Sequence, residues 1–377
     1  MTAVTVLVLN SGSSSVKYQL ISLPDEEVVV KGERDRVGIE GGEFSDHRRA
    51  IADIIASLPQ SVSVDVVGHR VVHGGERFTE PVLIDQEVIA GIEQVSTLAP
   101  LHNPANLQGI HAVGEVMPDV AQVAVFDTAF FSTLPPAAYD YPLPRHLVEK
   151  HGIRKYGFHG TSHQYVNSRL LNLESRRDQP LRTISFHLGN GSSVAAVRDG
   201  EAVDTSMGLT PLPGLVMGTR SGDIDPSIPL FLQRQAGMSV DQVDDVLNRD
   251  SGLKGLTGTS DMRDLFAKAD SGDEAAMHAI DVWSWRAKHY LGAYLAQLGG
   301  LDAIVFTGGI GENQAVLRAK VLDGLEGLGI ALDPSTNSAN RSDERLISSP
   351  ESDVSVWVIP TNEELQIARL SAECVGV

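Results

Sequence analysis

The sequence predicts an α/β chain built as two duplicated domains, and three observations carry that prediction. Strand-like apolar runs alternate with helical ones, a strand, Gly/Ser turn and strand pattern occurs twice, and a third glycine-rich turn joins a strand to a helix. Residues 4–10 read as a strand, 11–15 as a tight turn and 16–21 as the returning strand. A further strand is expected over 64–72. Asn103-Pro104 supplies a cap and a first-turn proline for a helix whose apolar face is Leu107, Ile110, Val113 and Val116. Another strand follows over 120–126. The pattern then restarts, with 183–188 as a strand, Gly189-Asn-Gly-Ser-Ser193 as the turn and 194–198 as the return, where Asp199-Gly200 signals a second hairpin. Ser271-Gly-Asp-Glu274 reads as a capping box ahead of Ile280, Trp283, Ala287, Leu291, Tyr294 and Leu298, and Gly299-Gly300 ends that helix. The apolar run ending at Thr307 opens through Gly308–Asn313 into a helical pattern over 315–322, and a last strand is expected over 354–359. Two such halves imply a cleft between them.

Composition limits the function. The 377 residues carry 49 acidic and 30 basic side chains, a formal charge of −19, which excludes a general nucleic-acid binder needing a basic face. Hydrophobic residues make up 42 %, enough to fill the cores of two domains. The single cysteine, Cys374, forms no internal disulfide and no thiolate cluster, so a reducing compartment, the cytoplasm, is expected. No positively charged leader opens the chain, and no apolar run approaches the ~18 residues that span a bilayer, so no membrane partner is expected.

The chemistry-bearing signals nevertheless concern an anion. Gly/Ser turns at strand tips let backbone N–H groups and small hydroxyls approach phosphate closely. Neither Walker A spacing nor a G-x-G-x-x-G pattern is present. Lys17 follows the first turn, Arg70 and Arg220 sit in Gly68-His-Arg-Val-Val-His-Gly-Gly75 and Gly218-Thr-Arg-Ser-Gly-Asp223, and Arg263 follows Ser260-Asp-Met. Guanidinium groups beside small residues suit carboxylate or phosphoryl oxygens, although any one of them could equally be an ordinary ion-pair arginine. His102, His159 and His187 each stand beside Gly or Asn at the end of an apolar segment. The spacing of His69 with His73 and of His159 with His163 invites a zinc reading, but no H-E-x-x-H supports it. Asp127 ends a strand and Glu363 follows one, positions where a carboxylate faces a ligand, assists Mg²⁺ or merely caps a helix.

Asn10-Ser-Gly-Ser-Ser-Ser-Val-Lys17, Gly68-His-Arg-Val-Val-His-Gly-Gly75, Tyr156-Gly-Phe-His-Gly-Thr-Ser-His163, His187-Leu-Gly-Asn-Gly-Ser-Ser193, Gly218-Thr-Arg-Ser-Gly-Asp-Ile-Asp-Pro226 and Gly308-Gly-Ile-Gly-Glu-Asn313, in this order, resemble the acetate kinase family. The resemblance runs from residue 4 to about residue 370. It implies two actin-like (ribonuclease H-like) domains, 1–131 plus 366–377 and 132–365, with the nucleotide in the cleft. It implies reversible, direct in-line phosphoryl transfer from ATP to acetate, giving acetyl phosphate and ADP, with Mg²⁺ (or Mn²⁺ in its place), and a homodimer. By motif, Asn10 and Glu363 resemble the metal-associated residues and Lys17 a phosphate-side cation. His187, Leu188, Gly189, Asn190 and Gly191, then Asp261, Met262 and Arg263, then Gly309, Ile310, Gly311, Glu312 and Asn313 resemble the nucleotide-binding segments. Arg70 resembles the acetate-binding arginine, with Val72, Leu101 and Pro211 as the methyl pocket; Asp127 matches the active-site aspartate, and His159 and Arg220 the transition-state stabilisers. A simple carboxylate is already ionised at pH 7, so Asp127 reads as an orienter rather than a general base. The segment 31–49 is shorter than is usual in the family and carries no site motif. Propionate and butyrate kinases share most of these motifs, and one methylene is worth only about 1–3 kcal/mol in an apolar pocket, so acyl length stays open. A chaperone- or actin-type ATP-driven protein is the alternative from another class.

Overall fold

Two six-stranded sheets share one topology. A computed structural model describes residues 3–59, 61–100, 102–174 and 180–377. It divides the chain into unit 1, Met1–Ser132 with Gly160–Ser162 and Asn362–Val377, and unit 2, Thr133–His159 with His163–Thr361. Unit 1 holds β1 (Val4–Ser11), β2 (Ser15–Leu23), β3 (Glu27–Asp35), β4 (Val66–Val71), β5 (Val82–Leu83) and β6 (Ala121–Phe126) in the order β3-β2-β1-β4-β6-β5. Unit 2 holds β7 (Arg182–Leu188), β8 (Ser192–Arg198), β9 (Glu201–Thr205), β10 (Ala303–Thr307), β11 (Arg345–Leu346) and β12 (Ser355–Val358), ordered β11-β12-β10-β7-β8-β9. Adding six to each strand number of the first sheet gives the second. The directions agree as well: β1, β4 and β6 are parallel, as are β7, β10 and β12, and the outer pairings are antiparallel. The repeated hairpin is therefore the visible part of a duplication of the whole sheet.

In unit 1 the central strand is buried on both faces, which is why Val6, Leu7, Val8 and Leu9 run on without polar interruption. Leu7 and Leu9 face the helices His47–Ser57 and Asn103–Val116 through Ile51, Ile54 and Val113. The other face of the sheet carries the C-terminal helix Glu363–Val375. A Cβ built on Gly68 would stand 2.5 Å from Ser371 Oγ and 2.9 Å from Ile367 Cγ2, so this motif glycine lets the helix lie on β4. In unit 2 the helix Glu274–Leu298 buries Ile280, Trp283, Ala287, Leu291, Tyr294 and Leu298 against Ile184, Phe186 and Phe306, as their spacing of three and four predicts. Each large aliphatic side chain among them contributes about 1.5–3 kcal/mol by leaving water. At the β8–β9 turn Asp199 and Gly200 both have positive φ, 56° and 86°, matching the Asp-Gly signal.

Two expected caps are corrected. The residue capping Asn103–Val116 is His102, without a side-chain bond, because the buried Asn103 side chain instead donates to the His73 carbonyl (2.9 Å) and accepts from the His73 N–H (3.1 Å). The long helix is capped by Asp273 rather than Ser271: its carboxylate accepts from the N–H groups of Ala275 and Ala276, and the Ser271 hydroxyl bonds the Lys268 carbonyl. Among the described residues no helix is long and apolar enough to cross a membrane.

Candidate functional site

The predicted residues form one set in each unit. In unit 1 the parallel register pairs Leu9 with His69 and Arg70 with Val125, so Asn10, Arg70 and Asp127 stand together at the C-terminal ends of β1, β4 and β6. That edge is where open parallel sheets present ligand-binding groups. Asp127, 1 % exposed, takes Arg70 in a two-pronged pair, with Nε donating to Oδ1 at 3.1 Å and Nη2 to Oδ2 at 2.5 Å. Thr161 Oγ1 also donates to Asp127 Oδ1 (3.2 Å), Arg70 Nη1 reaches Asn10 Oδ1 at 3.4 Å, and Glu363 Oε2 lies 3.9 Å from Arg70 Nε. Burial opposes the Arg70 charge, but Asp127 and Glu363 outweigh it and hold the guanidinium above its ordinary pKa. Lys17, directly across the hairpin from Asn10, is exposed and 3.9 Å from Glu33. Val72 is buried beside this group, with its N–H bonded to Asn106. Leu101 lies outside the described residues.

Glu363 is the first residue of its helix, where the dipole favours a carboxylate. Burial nevertheless pushes its pKa from 4.5 to about 7; Arg70 acts against that rise, and the negative Asp127 and Glu364 add to it. Below pH 4.5 the group is protonated folded and unfolded alike. Above that value the unfolded chain releases a proton that the folded chain keeps, so the stability contributed is lost as pH rises through about 7. The rise from 4.5 to about 7 corresponds to roughly 3 kcal/mol at most. Glu363→Gln is therefore expected to raise Tm over the unsubstituted protein at pH 8 in metal-free buffer and to leave it unchanged near pH 4.5. Equal Tm values at pH 8 would show that ionised Glu363 carries no cost.

In unit 2, His187 is the penultimate residue of β7, the hairpin tip Gly189–Gly191 closes with a bond from Gly189 N–H to the Gly191 carbonyl (3.0 Å), and Ser192 opens β8. His159 stacks on His187 with ring centroids 4.3 Å apart. A Cβ on Gly191 would sit 3.3 Å from His159 Nε2 and 3.6 Å from Arg220 Nη1, so the tip, the imidazole and the guanidinium converge. Arg220 Nη1 donates to the Pro211 carbonyl at 3.1 Å and touches Met217 sulfur at 3.7 Å; among the described residues no carboxylate pairs with it. Burial alone lowers its pKa. The loop carrying it is tied down by Asp223, which accepts from Gly214 N–H (2.8 Å) and from the Tyr290 hydroxyl (2.6 Å) on the long helix.

Gly189, Asn190, Asp261, Met262, Arg263, Gly309, Ile310 and Asn313 line one cavity of about 530 Å³ together with Ser260 and Gln314. His187, Leu188, Gly191, Gly311 and Glu312 do not line it. Glu312 works inside its own turn, accepting from Gly308 N–H (2.9 Å) and Thr361 N–H (3.2 Å). Arg318, which the sequence reading did not single out, is buried and holds the turn through the Gly311 (2.7 Å) and Glu312 (3.0 Å) carbonyls. No local signal marks it, since its partners lie at the end of a different helix. A larger cavity of about 680 Å³, bordered by Asp250, His278, Trp285 and Arg286, contains none of the predicted residues.

Three of the four cations singled out in the sequence are paired with acids at short range. Arg70 is matched by Asp127, Lys17 faces Glu33, and the 83 % exposed Arg263 pairs through Nε and Nη2 with Asp261, which that arginine holds down at about 2. Among the described residues, Arg220 is the one of the four without an acid partner. Of the paired histidines, His69 bonds Gln122 (2.9 Å), and burial holds it and His73 near 4, so both are neutral.

Known proteins resemble the chain over nearly its whole length. Residues 5–369 match the model of the acetokinase family. An acetate kinase from Thermotoga maritima is 50 % identical over 396 aligned positions covering 98 % of each chain. The crystal structure of Porphyromonas gingivalis acetate kinase superposes with a TM-score of 0.93 at 42 % identity, covering 99 % of this chain and 100 % of that one. A propionate kinase from Francisella tularensis gives 0.92 at 41 %, covering 98 % and 99 %. With the motifs, the duplicated sheets and matches of this extent in agreement, the chain belongs to the acetokinase family.

Proposed function

We infer that this chain transfers the terminal phosphoryl group of ATP to acetate, reversibly, giving acetyl phosphate and ADP. The observation that carries the reading is Arg220: a half-buried guanidinium without a carboxylate partner, converging with His159 on a glycine hairpin in the unit that holds the 530 Å³ cavity. Such a group is built to receive an anion from outside the protein. We assign the nucleotide to the cavity lined by Asn190, Asp261–Arg263 and Gly309–Asn313, and the phosphoryl oxygens to Arg220 and His159. Acetate is assigned to Arg70, whose Nε and Nη2 are held by Asp127 and whose third nitrogen, Nη1, makes only the long 3.4 Å contact to Asn10. Val72, Leu101 and Pro211 are assigned to its methyl group.

Because acetate is itself an ionised nucleophile at pH 7, the protein needs no base and can use direct in-line displacement, with catalysis by positioning and charge neutralisation. The donor set around Arg70 fits a hard divalent cation. It consists of carboxylate and carboxamide oxygens, and Glu363 is held near 7 in part by negative neighbours that a cation would offset. Glu363 and Asn10 would hold Mg²⁺, or Mn²⁺ in its place, which supplies neutralising charge to the phosphate oxygens. A cytoplasmic homodimer belongs to the same reading. The 0.92 superposition on a propionate kinase shows that architecture alone does not choose acyl length, so the choice rests on the methyl pocket.

Incubation with MgATP, acetate and hydroxylamine, which traps acyl phosphate as a hydroxamate, is expected to give acetate-dependent product, with less from propionate. Absence of acetate-dependent hydroxamate would refute the assignment.

A further inference from the structure

His159 ends a chain of hydrogen bonds, and the chemistry of its members gives the chain a direction. The Asn167 side chain meets the His163 main-chain carbonyl at 2.8 Å, and a carbonyl can only accept, so the Asn167 atom is the amide nitrogen. That nitrogen also donates to Ser185 Oγ at 3.2 Å. An amide nitrogen does not accept, so the Ser185 hydroxyl proton goes to its other neighbour, His163 Nδ1, at 2.8 Å. Burial pushes the His163 pKa well down, and His187 adds to this, so the ring is neutral. With Nδ1 accepting, its single proton is on Nε2, which donates to Ser193 Oγ at 2.8 Å. Ser193 in turn gives its proton to His159 Nδ1, also at 2.8 Å.

We propose that Asn167, Ser185, His163 and Ser193 are positioning residues that fix His159 in the tautomer whose Nε2 carries the proton. The protonated nitrogen is the one at the Gly191 hairpin, 3.3 Å from the position a Cβ would take there and near the Arg220 guanidinium. His159 is thus presented as a hydrogen-bond donor to an anionic oxygen. A proton on Nδ1 instead would make both imidazoles donate to Ser193, leaving that hydroxyl proton without an acceptor in the relay. The use of the donor toward a phosphoryl oxygen rests on the reaction inferred above; the tautomer does not.

Long-range ¹H–¹⁵N correlation spectra of the full chain labelled with ¹⁵N-histidine, at pH 7.5 without substrates, distinguish the two tautomers. The His159 signals are identified by their loss in His159→Gln. The expected result is a single His159 form protonated on Nε2. Ser193→Ala should turn it into a mixture and lower kcat about fivefold to tenfold, the worth of one net hydrogen bond, with KM for ATP unchanged. Ser193→Thr, which restores the hydroxyl, should recover both. A wild-type ring protonated on Nδ1, or a Ser193→Ala spectrum identical to wild type, overturns the proposal. Failure of the hydroxamate assay would refute the reaction without altering the tautomer result.

Discussion

Replacing Arg220 with alanine is expected to lower kcat by about 10²–10³-fold while KM for ATP changes little. The reason lies in what the side chain lacks. Nη1 is spent on the Pro211 carbonyl and the Met217 sulfur, neutral partners that orient the group without cancelling its charge. Burial works against that charge, so an arriving anion gains more from it than from a solvated arginine. The gain grows as negative charge spreads over the transferring oxygens, which places the loss in the chemical step rather than in nucleotide binding. Arg220→Lys should recover only part of the rate, because an ammonium lacks the planar fork. Steady-state kinetics in both directions tests this, and an unchanged kcat in Arg220→Ala would remove the residue from the mechanism.

Asp127→Asn is expected to have the second large effect. The carboxylate holds Arg70 by two oxygens and is itself almost wholly enclosed. An amide would set an NH₂ group against a guanidinium N–H and leave a half-buried charge short of its counter-ion. Losses of this kind run to roughly 2–5 kcal/mol, or about 30-fold to several-thousand-fold in kcat/KM for acetate. Arg70 would then turn to Glu363, 3.9 Å away, and the negative neighbour that helps keep Glu363 near 7 would be gone; the Glu363 pKa should fall. The variant is therefore expected to show a depressed kcat and a raised KM for acetate with no new limb in the neutral range of its pH–rate profile. A new limb there would mean that Asp127 acts on protons and not through Arg70.

Much of the fold is legible in the sequence. The hairpins at Asn10–Ser15 and Gly189–Ser193 announced the duplication because Gly/Ser tips and flanking alternation are local properties, and the six-for-six correspondence of the two sheets follows from that repeat. The helix caps were misplaced by one or two residues because Asn103 and Ser271 meet competing partners that the local pattern does not contain. In the candidate site, residue types and motifs select the segments but do not distinguish Asn190 and Asn313, which line the cavity, from Glu312, which braces its own turn.

The sequence by itself determined the class, the repeat, the glycine turns and the family, since each depends on patterns a few residues long or on motifs held in order. Only the tertiary structure decided which charges are spent. Arg70 meets Asp127 across 57 positions and His159 meets Ser193 across 34, and neither pairing has a local signature. Packing of the strand ends chose these partners, and a charge or a proton has no defined role until its partner is chosen. That is why Arg70, Arg263 and Arg220 look alike in the sequence and differ in the fold: two are paired with nearby acids, and Arg220, among the described residues, meets a main-chain carbonyl instead.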